Sequence, residues 1–308
     1  MPEQGYDYFT DGETGETLCV RRATGEVSNS ITLTVPEGTY FKTPEQQEAD
    51  RQRNEGLQKK LEQDAIRKEK NDNLEALGKY FFAVCTDFSE LSDATLARLI
   101  YLTTFLTLDD GKLFRTQRTP MTEADLPDVM KLSQSTVDRF MKEVQDYIGV
   151  DSDGNLQIVS SAFQRGHLPK GQHIPMQRLY RDAIRRLYRT TPTSKHRYLG
   201  MFFKLLPYIN QEYNVLCWNP EEDNIDDIDL MSPAEFCDLS GFKYTKFWKL
   251  KSELKNLTFD VDGKQELFCS FVDAGFGLGR VQIFVNPHIL YNGFDYKNVE
   301  IVGKFCEL

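Results

Sequence analysis

MTEADLPDVMKLSQSTVDRFMKEV, residues 121–144, reads as two short helices with a tight break at Lys131-Leu132-Ser133. Slid 110 positions along the chain, MSPAEFCDLSGFKYTKFWKLKSEL, residues 231–254, lies beneath it without a gap. Met121 meets Met231, Thr122 meets Ser232, Ala124 meets Ala234, Asp128 meets Asp238 and Glu143 meets Glu253. The apolar positions coincide as well: Leu126 with Phe236, Val129 with Leu239, Leu132 with Phe242, Val137 with Phe247, Phe140 with Leu250 and Val144 with Leu254. The same helical spacing at the same phase predicts one helix-turn-helix pattern carried twice.

The flanks repeat too. Residues 96–102 form an apolar helical stretch with Ser92 and Asp93 as caps, and residues 112–115 a short strand. Asp151-Ser152-Asp153-Gly154-Asn155 then turns the chain between 147–150 and 156–159. In the second half, residues 198–206 supply the helix and 215–218 the strand. A longer hairpin follows, running from Leu257 past Asp262-Gly263 and the Gly-rich tip 274–279 to Val285. Helix, strand, helix-turn-helix and hairpin is the order of a winged helix. The expected fold is therefore α+β, mainly α, with two tandem winged-helix domains, an N-terminal β-hairpin and a charged helix.

Expected boundaries are 1–44 for a small β-rich segment, 45–73 for the charged helix or linker, 74–164 for the first domain, 165–192 for a basic connector helix and 193–308 for the second domain with its tail. Residues 14–43 read as a hairpin or meander, with alternation at 31–35, before Thr43 caps a helix opened by Pro44. Leu57, Leu61, Ala65 and Ile66 mark the one apolar stripe of that helix, which either seeds a short coiled-coil seam or simply rides in water. Self-association through it is one expectation.

The chain has 308 residues and a net charge of −10, which argues against a polyanion partner until the charge is split by segment. Residues 165–198 hold nine basic and one acidic side chain, between acidic regions on either side. Within them Met176, Leu179, Tyr180, Ala183, Ile184, Leu187 and Tyr188 recur at helical spacing, with Arg178, Arg181, Arg185 and Arg189 opposite. Three uses compete for such a basic amphipathic helix: a strut, a phosphate-contacting face or a membrane-surface helix.

In a helix-turn-helix the N-terminal end of the second helix reaches base edges in the major groove. Those positions are Ser133, Gln134, Ser135, Thr136 and Arg139, with Lys142 further along, in the first copy. In the second they are Lys243, Tyr244, Thr245, Lys246 and Lys249, and residues 243–255 carry five lysines and one acid. Gln pairs with adenine and Arg with guanine, whereas lysines neutralise phosphates. The first copy looks suited to reading bases and the second to gripping the backbone, with Arg280 of the hairpin as a further contact. Double-stranded DNA is the expected partner; a protein-protein adaptor is the alternative.

Several sharper chemistries fail. No phosphate-loop motif is present, and GFGLG at 275–279 joins two strands instead of opening a helix. His167, His173, His196 and His288 form no paired metal motif, and the six cysteines are scattered without zinc or redox spacing, as buried reduced thiols would be. The acidic run Glu221-Glu222-Asp223, Asp226-Asp227 and Asp229 lacks the turn glycine and terminal Glu of a calcium loop, so a solvated loop is favoured over a cation site. No catalytic residue, cofactor or metal is expected. The N-terminus is acidic without an apolar core and no run approaches 18 apolar residues, so no signal peptide, no membrane partner and a cytoplasmic location are expected.

Pro120-Met121-Thr122, Phe203-Lys204-Leu205-Leu206-Pro207-Tyr208-Ile209-Asn210 and Phe284-Val285-Asn286-Pro287-His288-Ile289-Leu290-Tyr291-Asn292-Gly293 carry a resemblance. Over residues 98–293 the chain resembles the winged-helix proteins of Gram-positive plasmids and temperate phages, including the RepL-type replication proteins and related phage regulators. The resemblance implies sequence-specific DNA binding in replication initiation or transcriptional control, repression included, on a mobile element. The acidic N-terminal extension and acidic balance depart from its smaller members.

Overall fold

The computed structural model describes residues 6–10, 17–21, 25, 27–28, 44–84, 88–108, 110–166, 175–273 and 281–305. They fall into two compact units, Met1–Gln63 and Asp64–Leu308.

In the first unit β1 (Tyr6–Thr10), β2 (Thr17–Arg21) and β3 (Val27–Ser28) form an antiparallel meander, with Tyr8 opposite Cys19. The alternation at 31–35 and the Thr43 cap lie outside the described residues. Helix α1 (Pro44–Ala76) begins in this unit, and Leu57, Leu61 and Ile66 stand exposed along it. It continues past Asn71-Asp72-Asn73 because its last turn is packed: Leu74 is buried and Asn73 donates to the Phe294 carbonyl at 3.2 Å.

The second unit is α+β with small antiparallel sheets. Strand β4 (Tyr80–Val84) leads to α2 (Asp93–Thr103), whose N-cap Ser92 accepts from the Thr95 amide and whose apolar face is buried. Then come α3 (Leu126–Met130), α4 (Gln134–Glu143) and the hairpin β5 (Ile148–Val150) and β6 (Leu156–Ile158). Strands β7 (Phe163–Gln164) and β8 (Met176–Tyr180) flank β4 in one three-stranded sheet. The second half follows with α5 (Arg181–Thr190), α6 (His196–Phe203), α7 (Pro233–Leu239) and α8 (Phe247–Lys255). It closes with the hairpins β9 (Thr258–Val261) with β10 (Lys264–Leu267) and β11 (Cys269–Asp273) with β12 (Val281–Val285), then α9 (Tyr296–Gly303).

The duplication extends to individual backbone hydrogen bonds. Met121 donates to the Leu113 carbonyl at 2.9 Å, as Met231 does to Leu216 at 3.1 Å. Leu113 in turn donates to Leu156 at 3.0 Å and Leu216 to Ile283 at 2.9 Å. The bridges Leu106 to Leu113 and Ile209 to Leu216 match as well. Two insertions lengthen the second half between the matched elements: the acidic segment before Met231, and the β9–β10 hairpin between α8 and the strand pair equivalent to β5–β6.

The structure corrects the expected connector helix. The connector is not a single helix from Met176: residues 176–180 are strand β8, paired with β4 from Met176 opposite Val84 to Tyr180 opposite Tyr80. Helix begins only at Arg181. In five residues the spacing of Met176, Leu179 and Tyr180 fits a helix and the burial of Gln177 and Leu179 fits a strand equally, so the available sheet edge decides. Asn292 fixes the same strand from the other side, accepting from the Arg178 amide at 2.9 Å and donating to the Met176 carbonyl at 2.8 Å. The second half thus reaches β8 through Asn292 and the isolated bridge from Leu290 to Leu179, and the two halves share one core.

Candidate nucleic-acid interface

Each paired-helix motif is set by local chemistry. Thr122 and Asp125 form a capping box before α3, and Ser232 and Glu235 form its counterpart before α7. The Asp125 carboxyl is held below its usual range, first by the Thr122 amide, and Glu235 likewise by the Ser232 hydroxyl. Each first helix ends through a left-handed residue, Lys131 at φ 55° and Gly241 at φ 70°. The next amide closes the turn, Leu132 onto Pro127 at 3.1 Å and Phe242 onto Cys237 at 2.8 Å. Ser133 and Lys243 then hold equivalent extended positions before the second helix.

The second helices are anchored from below. Val137 and Phe140 of α4, and Phe247, Leu250 and Leu254 of α8, are buried, each contributing about 1.5–3 kcal/mol. Glu143 accepts from the hydroxyl of Ser92 at 2.9 Å, and Glu253 pairs with Lys195. Ser92 and Lys195 are the N-cap residues of α2 and α6, so the matched glutamates tie matched helices together. Burial pushes the Glu143 carboxyl up, but hydrogen bonds from Thr95 and Ser92 outweigh it and the net shift is downward.

What remains outward is polar. Ser133, Gln134, Ser135, Arg139 and Lys142 are exposed and Thr136 half-buried. The Ser133 hydroxyl lies 2.9 Å from that of Thr136, and Gln134 donates to Asp138 at 2.8 Å, which fixes its amide over the outer face. On the second copy Lys243, Tyr244, Thr245, Lys246 and Lys249 are all exposed, and pairing of Glu253 with Lys195 leaves the face dominated by lysine. Trp248, which the helical spacing does not single out, is 60% exposed between them. It occupies the position of Asp138 in the first copy, and the half-buried Lys251 ammonium sits 5.1 Å from its ring and 5.3 Å from that of Phe271. An aromatic residue at a position where the other copy places a charged one was the available signal.

The connector arginines separate into two groups. Arg189 is exposed, as is Arg186, which was not singled out. Arg178 lies on β8, its guanidinium 4.3 Å above the Tyr80 ring. Arg181 and Arg185 turn inward onto Thr104, the C-cap of α2: Arg181 donates to its carbonyl, and Arg185 donates to the carbonyl at 2.8 Å and the hydroxyl at 2.9 Å. The α2 C-terminus, with its partial negative charge and the Thr104 carbonyl as acceptor, draws them off the surface. Arg280 and the 274–279 tip lie outside the described residues, as do His167 and His173.

An aromatic column sets the position of the first motif. Tyr101 and Tyr188 stack at 3.9 Å, and their hydroxyls donate to the Val129 carbonyl at 3.0 Å and the Met130 carbonyl at 3.3 Å, in the last turn of α3. His196 packs on Tyr188 at 4.3 Å, and burial, then the Arg98 charge, pulls its imidazole down to about 4. Cys217, Cys237 and Cys269 are buried free thiols, each pushed up by burial, Cys217 to about 11. The acidic loop is stitched internally, Asn219 donating to Asp227 and accepting from Asp229, both at 2.8 Å. Among the described residues no group of metal-ligating side chains converges, and no helix is long and apolar enough to cross a membrane.

Compared with known proteins, the chain matches no family model, no curated protein and no solved structure.

Proposed function

We propose that this chain is a sequence-specific double-stranded DNA-binding protein whose two paired-helix motifs are winged helices, serving replication initiation or transcriptional control on a mobile element. The observation that carries the reading is the outward face of α4 and α8. In two copies with matching caps, the same turn and the same anchoring glutamate, the residues left in solvent at the start of each second helix are, Trp248 apart, hydrogen-bonding or cationic. That is where a helix-turn-helix meets base edges and phosphates. Gln134 and Arg139 supply base-reading groups, with Asp138 able to accept from a cytosine amino group. Lys243, Lys246 and Lys249 supply phosphate contacts. Exposed Arg186 and Arg189 extend the cationic surface, and α1 offers an exposed apolar stripe for self-association.

Retention of the full chain by a library of random duplexes at low salt tests this. Wild type is retained, and Lys246→Glu with Lys249→Glu reduces retention sharply. Absence of retention, or retention unchanged in the double variant, defeats it. One observation favours a second reading, a protein-binding adaptor: Trp248 and Tyr244 expose aromatic surface at 60% and 41% on α8, and aromatics of this kind anchor protein interfaces.

A further inference from the structure

Below the C-terminal end of α2 lies a pocket of about 450 Å³, whose walls include Phe105, Phe114, Arg165, Arg181 and Arg185. Arg181 and Arg185, one helical turn apart on α5, reach Thr104 from one side. Arg165, arriving from β7, donates to the Leu106 carbonyl at 2.7 Å. Lys79 stands at the same pocket, and among the described residues Asp182 is the one carboxylate lining it. Three half-buried guanidiniums thus converge, with exposed Arg115, paired with Asp125 at 3.0 Å, also in the lining and Asp182 as the single carboxylate there.

The helix end accounts for only part of this arrangement. A guanidinium has five donors, and the Thr104 and Leu106 groups engage one from Arg165, one from Arg181 and two from Arg185. Burial first, then the neighbouring Arg165 and Arg185, pulls Arg181 down to about 10, so like charges held together add to the cost of burying it. An anion with several oxygens would relieve that repulsion and take up the remaining donors, and planar guanidinium forks match phosphate geometry. Arg185 lies 4.1 Å from the Phe105 ring, which holds its plane fixed at the pocket wall. The volume is far larger than a bare phosphate needs and falls in the range of small-ligand sites.

We propose that Arg165, Arg181 and Arg185 form a site for a phosphate-bearing ligand of mononucleotide size. This stands apart from the DNA-binding reading, since the site would hold phosphate whether or not α4 and α8 touch a duplex. The test is calorimetric titration of the full chain with inorganic phosphate and with adenosine monophosphate, against adenosine and against sodium chloride at equal ionic strength. Both phosphates bind and raise the melting temperature; adenosine and chloride do neither. Arg165→Gln leaves the three hydrogen bonds of Arg181 and Arg185 to Thr104 in place and weakens phosphate about tenfold, or about 1.4 kcal/mol. Asp182→Asn, which removes the opposing charge, tightens it. Far-UV circular dichroism confirms that both variants are folded. Displacement of bound phosphate by a short random duplex would identify the DNA backbone as the source of the phosphate, and lack of displacement a free ligand. Folded wild type that binds neither phosphate above chloride, or an Arg165→Gln variant that binds as wild type does, overturns the site.

Discussion

Gly200 of α6 lies directly against Asp93 at the start of α2: a Cβ at position 200 would stand 1.5 Å from the Asp93 carbonyl oxygen. The two helices are the equivalent first helices of the duplicated halves, and this contact lets their backbones meet. Lys204, one turn further on, secures the same corner through an ion pair with Asp93 at 2.9 Å. Gly200→Ala must push the helices apart and open the core shared by both halves. The expected cost is about 3 kcal/mol, at the upper end of overpacking effects, read as a fall in the urea midpoint. An unchanged midpoint would mean that the two helices are not in contact at this position.

The matched turns give substitutions of opposite sign. Gly241→Ala places a Cβ at φ 70° and should cost about 1 kcal/mol. Lys131→Gly removes the Cβ from a residue at φ 55°, and after the added freedom of the unfolded chain is counted it should gain about 0.5 kcal/mol. Both are read from denaturant midpoints with unchanged slope. Destabilisation by Lys131→Gly would show that the lysine stem makes packing contacts that outweigh its backbone strain.

The sequence carries the paired helices openly because their determinants are local: Thr122 to Asp125, Ser232 to Glu235, the break at Lys131 or Gly241, and an apolar residue every third or fourth position. Residues 176–180 read as helix in the sequence because their decisive partners are distant. Strand β8 exists through pairing with Tyr80–Val84 and clamping by Asn292, neither of which leaves a mark on residues 176–180. Arg181 and Arg185 read as a solvent face for the same reason: Thr104 is 77 and 81 positions away in sequence and meets them only in the fold. Motif residues such as Asn210, Asn286 and Asn292, which carried the family resemblance, turn out to bond backbone and neighbouring side chains in the scaffold.

His196 should make stability depend on pH. Its imidazole is buried against Tyr188 and titrates at about 4 in the folded chain, against 6.5 when free. Between those values the unfolded chain binds a proton that the folded chain refuses, so stability is full above about 6.5, falls as pH drops towards 4 and levels off below. The loss is about 3 kcal/mol across the window. Thermal melts from pH 7.5 to 4.5 measure it, and His196→Phe, which keeps a ring on Tyr188, should flatten the slope. A slope that survives the substitution would assign the proton uptake to other groups.

The two second helices should fail differently when their outer faces are stripped. Gln134→Ala and Arg139→Ala should each cost about 1–3 kcal/mol of discrimination between the preferred duplex and a random one, with little change in salt dependence. Lys246→Ala with Lys249→Ala should weaken binding to both duplexes alike and lower the slope of log affinity against log salt by about 2. Trp248→Ala separates the two readings of α8. A DNA-gripping helix loses little from it, because the neighbouring lysines carry the phosphate contacts, whereas a protein-docking helix loses its largest exposed anchor. Binding titrations of all the variants on both duplexes between about 50 and 200 mM salt decide the matter. If Gln134→Ala and Arg139→Ala reduce affinity equally on both duplexes, those residues are phosphate contacts too, and the division of labour between the copies is wrong.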